Sequence, residues 1–211
     1  MSVDVRTLVG REAPDFSAAA VINGCEIVKN FSLSQFRGKK YVVLFFYPKN
    51  FTFVCPTEIW AFQERLHDFE ERDVALIGCS RDSEFSHFAW LETPRERGGI
   101  KGVTFPLVSD INRSIIDSYG VCAGEYRLTN GETEVIGELV ALRGLFLIDK
   151  DGIVQHCVIN NMSLGRSVDE ALRMVDALQH FEKFGEVCPA NWNAGKRAMR
   201  PTHDGLREFL E

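Results

Sequence analysis

The run Tyr41-Val42-Val43-Leu44-Phe45-Phe46-Tyr47 constrains this chain more than any other stretch. Seven consecutive apolar or aromatic residues leave no polar alternate position, so a strand built from them must be covered on both faces. Pro48 closes the run, because proline cannot donate to a strand ladder. Cys55 and Pro56 follow, and then Ile59, Trp60, Phe62, Gln63 and Leu66 recur at helical spacing. Proline suits the first position of a helix, which places Cys55 at a helix N-terminal edge. The unpaired N–H groups and the positive end of the helix dipole favour an anion there. A thiol held in that place is biased toward the nucleophilic thiolate. A buried cysteine is, by type alone, more often a small hydrophobe. The order strand, proline, helix start argues for the reactive reading.

The flanking sequence supplies the rest of an α/β domain. Asn23-Gly24 between apolar runs over residues 16–28 predicts a hairpin, with Cys25 an ordinary strand residue. Residues 31–38 form a short turn or helical segment. The helix after Cys55 runs to about Glu71, and a buried strand over 74–80 carries Cys79 as core packing. Ser83 and Glu84 open a helix with Phe85, Phe88, Ala89 and Leu91 available to the core. A short strand over 105–110 and a helix over 111–119 follow. Residues 138–149 read as a long apolar strand interrupted by Arg143, and Lys150-Asp151-Gly152 turns it into a strand over 153–159. Ser167-Val168-Asp169-Glu170 is a capping box for a last helix. This order predicts a three-layer α/β fold with a mixed central sheet, an N-terminal hairpin and a polar, irregular C-terminal tail. The division expected is a domain over 1–184 and a tail over 185–211.

A chain of 211 residues suits one large domain or two small ones and suffices for a sizeable core, and 45% hydrophobic with 26% charged residues is ordinary for a soluble globular protein. A net charge of −6 argues against nucleic acid or an anionic membrane as partner. The first residues are mixed, with Asp4 and Arg6, and no apolar run has transmembrane length. The expected location is cytoplasmic. Cys25, Cys55, Cys79, Cys122, Cys157 and Cys188 are scattered without a Cys-x-x-Cys pair, which disfavours a zinc or dithiol centre. No histidine is linked by any phrase to Cys55, no metal-ligand spacing stands out, and no cofactor is expected.

Pro48, Thr52 and Cys55 make the pattern P-x-x-x-T-x-x-C within Phe51-Thr52-Phe53-Val54-Cys55-Pro56-Thr57-Glu58, and Glu186-Val187-Cys188-Pro189-Ala190-Asn191-Trp192 is a second phrase. Together they resemble the typical two-cysteine peroxiredoxins, the family of the alkyl hydroperoxide reductases and thioredoxin peroxidases, over about residues 3–195. The resemblance implies a thioredoxin-like fold and a metal-free peroxidase of hydrogen peroxide and organic hydroperoxides. It makes Cys55 the attacking thiol, Thr52 a hydrogen-bond partner of the peroxide and Pro48 a shield against water. A lone arginine in an apolar run is costly to bury unpaired, so Arg143 either faces solvent on an edge strand or has a partner. The resemblance places it beside the sulfur. Glu58, one helical turn after Cys55, is a carboxylate able to orient it, or else a first-turn acid favoured by the dipole. Cys188 is implied as the resolving thiol, condensing with a sulfenic acid on Cys55 of the partner subunit. A homodimer, a decameric ring of five such dimers, and thioredoxin or a flavoprotein disulfide reductase as electron donor follow from the same resemblance.

Two departures stand out. Extra residues between Val121 and Arg143 include Tyr126 to Val135, a hairpin about Asn130-Gly131 that leads into the strand of Arg143. Gly98-Gly99-Ile100-Lys101 and the ending Glu208-Phe209-Leu210-Glu211 match only in part the Gly-Gly-Leu-Gly and Tyr-Phe motifs of overoxidation-sensitive members. A non-enzymatic reading, a ring-forming holdase chaperone or redox-signalling scaffold on the same fold, competes with the enzyme. The set Pro48, Thr52, Cys55 and Arg143 favours the enzyme, since a pure scaffold has no need of all four.

Overall fold

A computed structural model describes residues 7–211, so Asp4 and Arg6 lie outside the described residues. The elements follow as β1 (Ser17–Ile22), β2 (Glu26–Ser32), β3 (Tyr41–Phe46), α1 (Val54–Glu64), α2 (Leu66–Glu71), β4 (Val74–Ser80), α3 (Glu84–Glu92), β5 (Leu107–Ser109) and α4 (Ser114–Ser118). After these come β6 (Glu125–Thr129), β7 (Glu132–Ile136), β8 (Arg143–Ile148), β9 (Val154–Asn160), α5 (Val168–Phe184) and α6 (His203–Leu210). One compact unit ends at Arg166 and a second spans Ser167–Glu211.

Seven strands of the first unit form one mixed sheet in the order β2-β1-β5-β4-β3-β8-β9. β3 lies inside it, parallel to β4 and antiparallel to β8. All six of its residues are buried, which is why its sequence shows no polar alternation. Val42, Leu44 and Phe46 point into a cluster with Ile115 and Ile116 of α4 and with Tyr119, whose ring lies 5.2 Å from that of Phe46. On the opposite face Phe45 stacks on Phe62 of α1 at 4.5 Å, and Tyr47 meets Trp90 of α3 at 6.1 Å. Helices thus cover both faces, and each aromatic so buried contributes roughly 1.5–3 kcal/mol. Gly78 on β4 stands opposite Phe45. A Cβ there would come within 2.9 Å of Leu107 and 3.1 Å of the Phe45 ring, so the close aromatic packing needs glycine at that point.

Several expectations shift in detail. Cys25 sits in the exposed turn after Asn23-Gly24 rather than on a strand, because the left-handed pair at 23 and 24 carries the chain around before β2 begins. The helix after Cys55 breaks at Arg65, where φ −109° and ψ 10° leave helical geometry and the guanidinium turns back to Asp68. The kinked pair still brings Phe69 against Phe62, at 6.1 Å. α3 buries His87, Trp90 and Leu91, whereas Phe85 is exposed; a histidine satisfied on both nitrogens takes the inward position a phenylalanine was expected to hold. The strand expected over 138–149 is regular only from Arg143, because residues 140–142 pair instead with 121–123 at the neck of the extra hairpin. That hairpin, β6 and β7 about Asn130-Gly131, pairs only with itself, and all ten of its strand residues are exposed.

In the second unit the Ser167 hydroxyl accepts from the Glu170 N–H, and α5 ends at Gly185 in the left-handed region at φ 66°. The stretch after it is not wholly irregular: Val187 and Met199 exchange backbone hydrogen bonds, and Thr202 caps α6. Leu206, Phe209 and Leu210 recur at helical spacing in α6, but a helix of two turns is too short for that pattern to be read from sequence. No helix among the described residues is long and apolar enough to cross a membrane.

Candidate active site

The end of β3 and the start of α1 are joined by a loop that includes Pro48 to Phe53 and is held from behind by buried polar groups. The Asn50 N–H donates to Asp82 Oδ2 at 2.9 Å, its side-chain amide donates to Ser86 Oγ at 2.9 Å, and its side-chain carbonyl accepts from the Tyr47 hydroxyl at 3.1 Å. Fully buried His87 places Nδ1 3.1 Å from the same amide and Nε2 3.2 Å from the Val108 carbonyl. Burial lowers the His87 pKa to about 4, against the charges of Asp82 and Glu84, so the ring is neutral at neutral pH, and the Val108 carbonyl, which can only accept, puts its proton on Nε2. Phe51 in this loop adopts φ 55°, a left-handed conformation costly for a bulky residue. The Thr52 hydroxyl donates to the Lys49 carbonyl at 3.1 Å.

α1 begins at Val54, so Cys55 is its second residue and Pro56 its third, slightly further into the helix than the sequence pattern placed them. No side chain caps this helix, and its first N–H groups remain available to an anion. Cys55 is fully buried as a residue, at the floor of an open pocket of about 400 Å³ lined by Pro48, Thr52, Val54, Arg143 and Met162 among others.

Arg143, the first residue of β8, donates through Nη1 to Cys55 Sγ at 3.5 Å and to Glu58 Oε2 at 2.6 Å, and through Nε to the Met162 carbonyl at 2.7 Å. The two side chains of this ion pair are 3% and 4% exposed. A second guanidinium, Arg166, reaches the same carboxylate through Nε at 2.8 Å and Nη2 at 2.9 Å, and its backbone N–H donates to Oε1 at 2.8 Å. Arg166 Nη1 is fixed in turn by the Phe46 and Gly144 carbonyls at 2.9 and 2.6 Å. Burial by itself pushes the Glu58 carboxyl up, but the Arg166 hydrogen bonds and charge, with Arg143 behind them, outweigh it and hold the group below its usual range. For Arg166 burial dominates and lowers the pKa, partly offset by Glu58. The buried trio carries two positive charges and one negative. The excess positive charge faces the sulfur, where a displacement at oxygen develops and moves negative charge.

The sequence-selected residues Pro48, Thr52, Cys55 and Arg143 therefore line one pocket, and Glu58 is buried beside it, bonded to Arg143. Arg166 is bonded to the same carboxylate and was missed by the sequence reading. Its only signal is a lone arginine between Gly165 and the Ser167 cap. Cys188 belongs to the other unit, half-buried after α5 with its thiol donating to the Ala177 carbonyl at 3.6 Å. Burial raises its pKa, against the charge of Arg173. Among the described residues no group of three His, Cys, Asp or Glu side chains is placed to hold a metal.

Residues 9–157 match the AhpC/TSA family, and residues 177–211 match the C-terminal domain of 1-Cys peroxiredoxin. This chain belongs to the AhpC/TSA family. Alkyl hydroperoxide reductase C of Helicobacter pylori is 52% identical over 204 residues, 97% of this chain and 96% of that protein. The chloroplastic 2-Cys peroxiredoxin BAS1 of Hordeum vulgare is 49% identical over 96% of this chain and 90% of its own length. The reduced 2-Cys peroxiredoxin of Plasmodium vivax superposes with a TM-score of 0.87 at 48% identity, covering 97% of this chain and 99% of that one. The fold is thioredoxin-like, and the protein is a peroxiredoxin, an oxidoreductase with thiol-dependent peroxidase activity.

Proposed function

We propose that Cys55 reduces hydrogen peroxide and organic hydroperoxides, and that Cys188 of a partner subunit resolves the product. The carrying observation is the buried Arg143 N–H aimed at Cys55 Sγ within the Thr52 and Pro48 pocket. The Cys55 thiolate attacks the terminal peroxide oxygen, the O–O bond breaks, and the alkoxide or hydroxide leaves to take a proton as alcohol or water. Cys55 is left as the sulfenic acid. Arg143 stabilises the charge that moves from sulfur to the departing oxygen. The Thr52 hydroxyl, while donating to Lys49, keeps lone pairs free to accept from the peroxide O–H and orient it. Pro48 keeps water off the sulfur, and Glu58 fixes both guanidinium groups.

Resolution forms a Cys55–Cys188 disulfide and releases water. Residues 185–211 act as the tail that carries Cys188. Two reciprocal bonds across a two-fold axis give a homodimer, and five reduced dimers close into a decameric ring. Thioredoxin or a flavoprotein disulfide reductase returns the dithiol by thiol exchange. The scattered cysteine spacing supports a cytoplasmic setting.

Stopped-flow measurement of peroxide consumption by the reduced protein tests the reading. Cys55→Ser abolishes turnover, whereas Cys79→Ser, Cys122→Ser and Cys157→Ser keep it. On a non-reducing gel the oxidised protein runs as a covalent dimer, and Cys188→Ser removes that band. Full activity in Cys55→Ser would sink the assignment, and a monomeric band after stoichiometric peroxide would move the resolving bond inside one chain.

A further inference from the structure

The loop that presents Cys55 is clamped twice. The inner clamp is buried Asn50 and His87 with half-buried Asp82. The outer clamp is an ion pair: Lys49 Nζ lies 2.6 Å from Glu138 Oε2, both on the rim of the Cys55 pocket. The backbone around Glu138 is held by its surroundings. Glu138 lies between β7 and the neck of the extra hairpin, where the strands come so close that a Cβ on Gly124 would lie 2.7 Å from the Glu138 carbonyl carbon. Ala123 N–H donates to the Val140 carbonyl at 2.8 Å, and Arg81 donates to the Leu139 carbonyl. Lys49, by contrast, belongs to a loop that holds Phe51 in a strained left-handed conformation, so the loop gains when it opens.

Cys55 is fully buried, so no outside thiol reaches its sulfur until this loop opens. A sulfenic acid in the closed loop has two fates. Opened, it condenses with a thiol: Cys55–SOH and HS–Cys188 give the disulfide and water. Kept closed, it meets a second peroxide: Cys55–SOH and ROOH give the sulfinic acid Cys55–SO₂H and ROH, and the enzyme is lost from the cycle. We infer that Glu138 is a positioning residue which, through Lys49, sets how long the Cys55 loop stays closed and so partitions the sulfenic acid between resolution and overoxidation. The inference rests on the peroxidase reading above. Because the pair is about half exposed, its effect is modest and electrostatic, in the range of about two- to five-fold in the opening equilibrium.

The test uses the full reduced chain at low ionic strength, with hydrogen peroxide as the probe. Intact mass after a peroxide titration under turnover gives the sulfinic fraction, and stopped-flow tryptophan fluorescence gives the rate of disulfide formation, each normalised to the same variant's first-step rate. Glu138→Gln is expected to form the disulfide about two- to five-fold faster and to need that much more peroxide for half overoxidation. Near 1 M salt, where the screening length is about 3 Å, wild type should converge on Glu138→Gln. The swapped pair Lys49→Glu with Glu138→Lys should restore the wild-type partition at low salt. An unchanged partition in Glu138→Gln, a difference that survives high salt, or failure of the swap to rescue overturns the inference. Wild type that forms no sulfenic acid and no disulfide would instead overturn the peroxidase reading, which the mass spectrum separates from these outcomes.

Discussion

Replacing Glu58 by Gln tests the electrostatic design of the site, because the change is nearly isosteric and removes one buried negative charge. Glu58 accepts from Arg143 Nη1 and from Arg166 N, Nε and Nη2 at 2.6 to 2.9 Å. A glutamine has one acceptor oxygen and one donor amide. If its oxygen faces Arg166, its N–H₂ confronts the Arg143 guanidinium, and the reverse orientation fails Arg166. Two buried guanidinium groups are then left without a counter-charge, and breaking a buried pair from one side costs about 3–5 kcal/mol. Misplacing Arg143 by about an ångström adds a kinetic loss of roughly a hundred-fold.

The pH dependence carries a sign that a packing defect would not. Arg166 and Arg143 hold the Glu58 carboxyl below its usual range. A depressed carboxyl contributes stability above its unfolded pKa, near 4.3, and loses it as pH falls through the folded value. The gap between wild type and Glu58→Gln should therefore be full at pH 7 and shrink on acidification below about 4. Urea unfolding at matched protein concentration reads the stability, and single-turnover peroxide kinetics the rate. A variant within about 1 kcal/mol of wild type at pH 7, or a gap that does not move with pH, would refute the argument.

Arg143→Ala should behave in the opposite way to Glu58→Gln. It leaves Glu58 paired one-to-one with Arg166, so urea unfolding should shift little, while the second-order rate with peroxide falls about a hundred- to a thousand-fold. A wild-type rate would move the charge-stabilising role to another residue. His87 is buried neutral with its pKa lowered to about 4, so the unfolded chain binds its proton first as pH falls from about 6.5. Wild type should lose about 3 kcal/mol of stability between pH 6.5 and 4 from this group, and His87→Gln should flatten that part of the profile. Parallel profiles would show that His87 does not titrate with unfolding.

The parts of the fold that could be read from the sequence are those where one physical requirement acts on adjacent residues. β3 announces itself because burial on both faces demands an unbroken apolar run. The hairpins at Asn23-Gly24 and Asn130-Gly131 show through residues suited to left-handed backbone. Cys55 was legible because strand, proline and helix start follow one another within fifteen positions, 41 to 55. What escaped depends on residues far apart in the chain. α3 turns His87 inward because Asn50 and the Val108 carbonyl wait for its two nitrogens, and helical periodicity knows nothing of either.

Arg166 shows why half of a charged site can be invisible. Arg143 stood out because it interrupts an apolar strand, where an unpaired charge is costly. Arg166 lies in the loop between β9 and α5, where an arginine is expected to face water, yet its side chain is 1% exposed. The carbonyls of Phe46 and Gly144, together with Glu58, come from β3, β8 and α1 and meet only in the folded sheet. The two carbonyls are free for it because Phe46 ends β3 and Gly144 lies at the start of β8, beside the site. Glycine is required at 144, since a Cβ would strike Val121 Cγ1 at 2.7 Å. The second arginine is thus part of the sheet's end rather than of any local motif. It turns Glu58 from a one-to-one counter-ion, which would cancel Arg143, into a shared one that leaves a net positive charge next to Cys55.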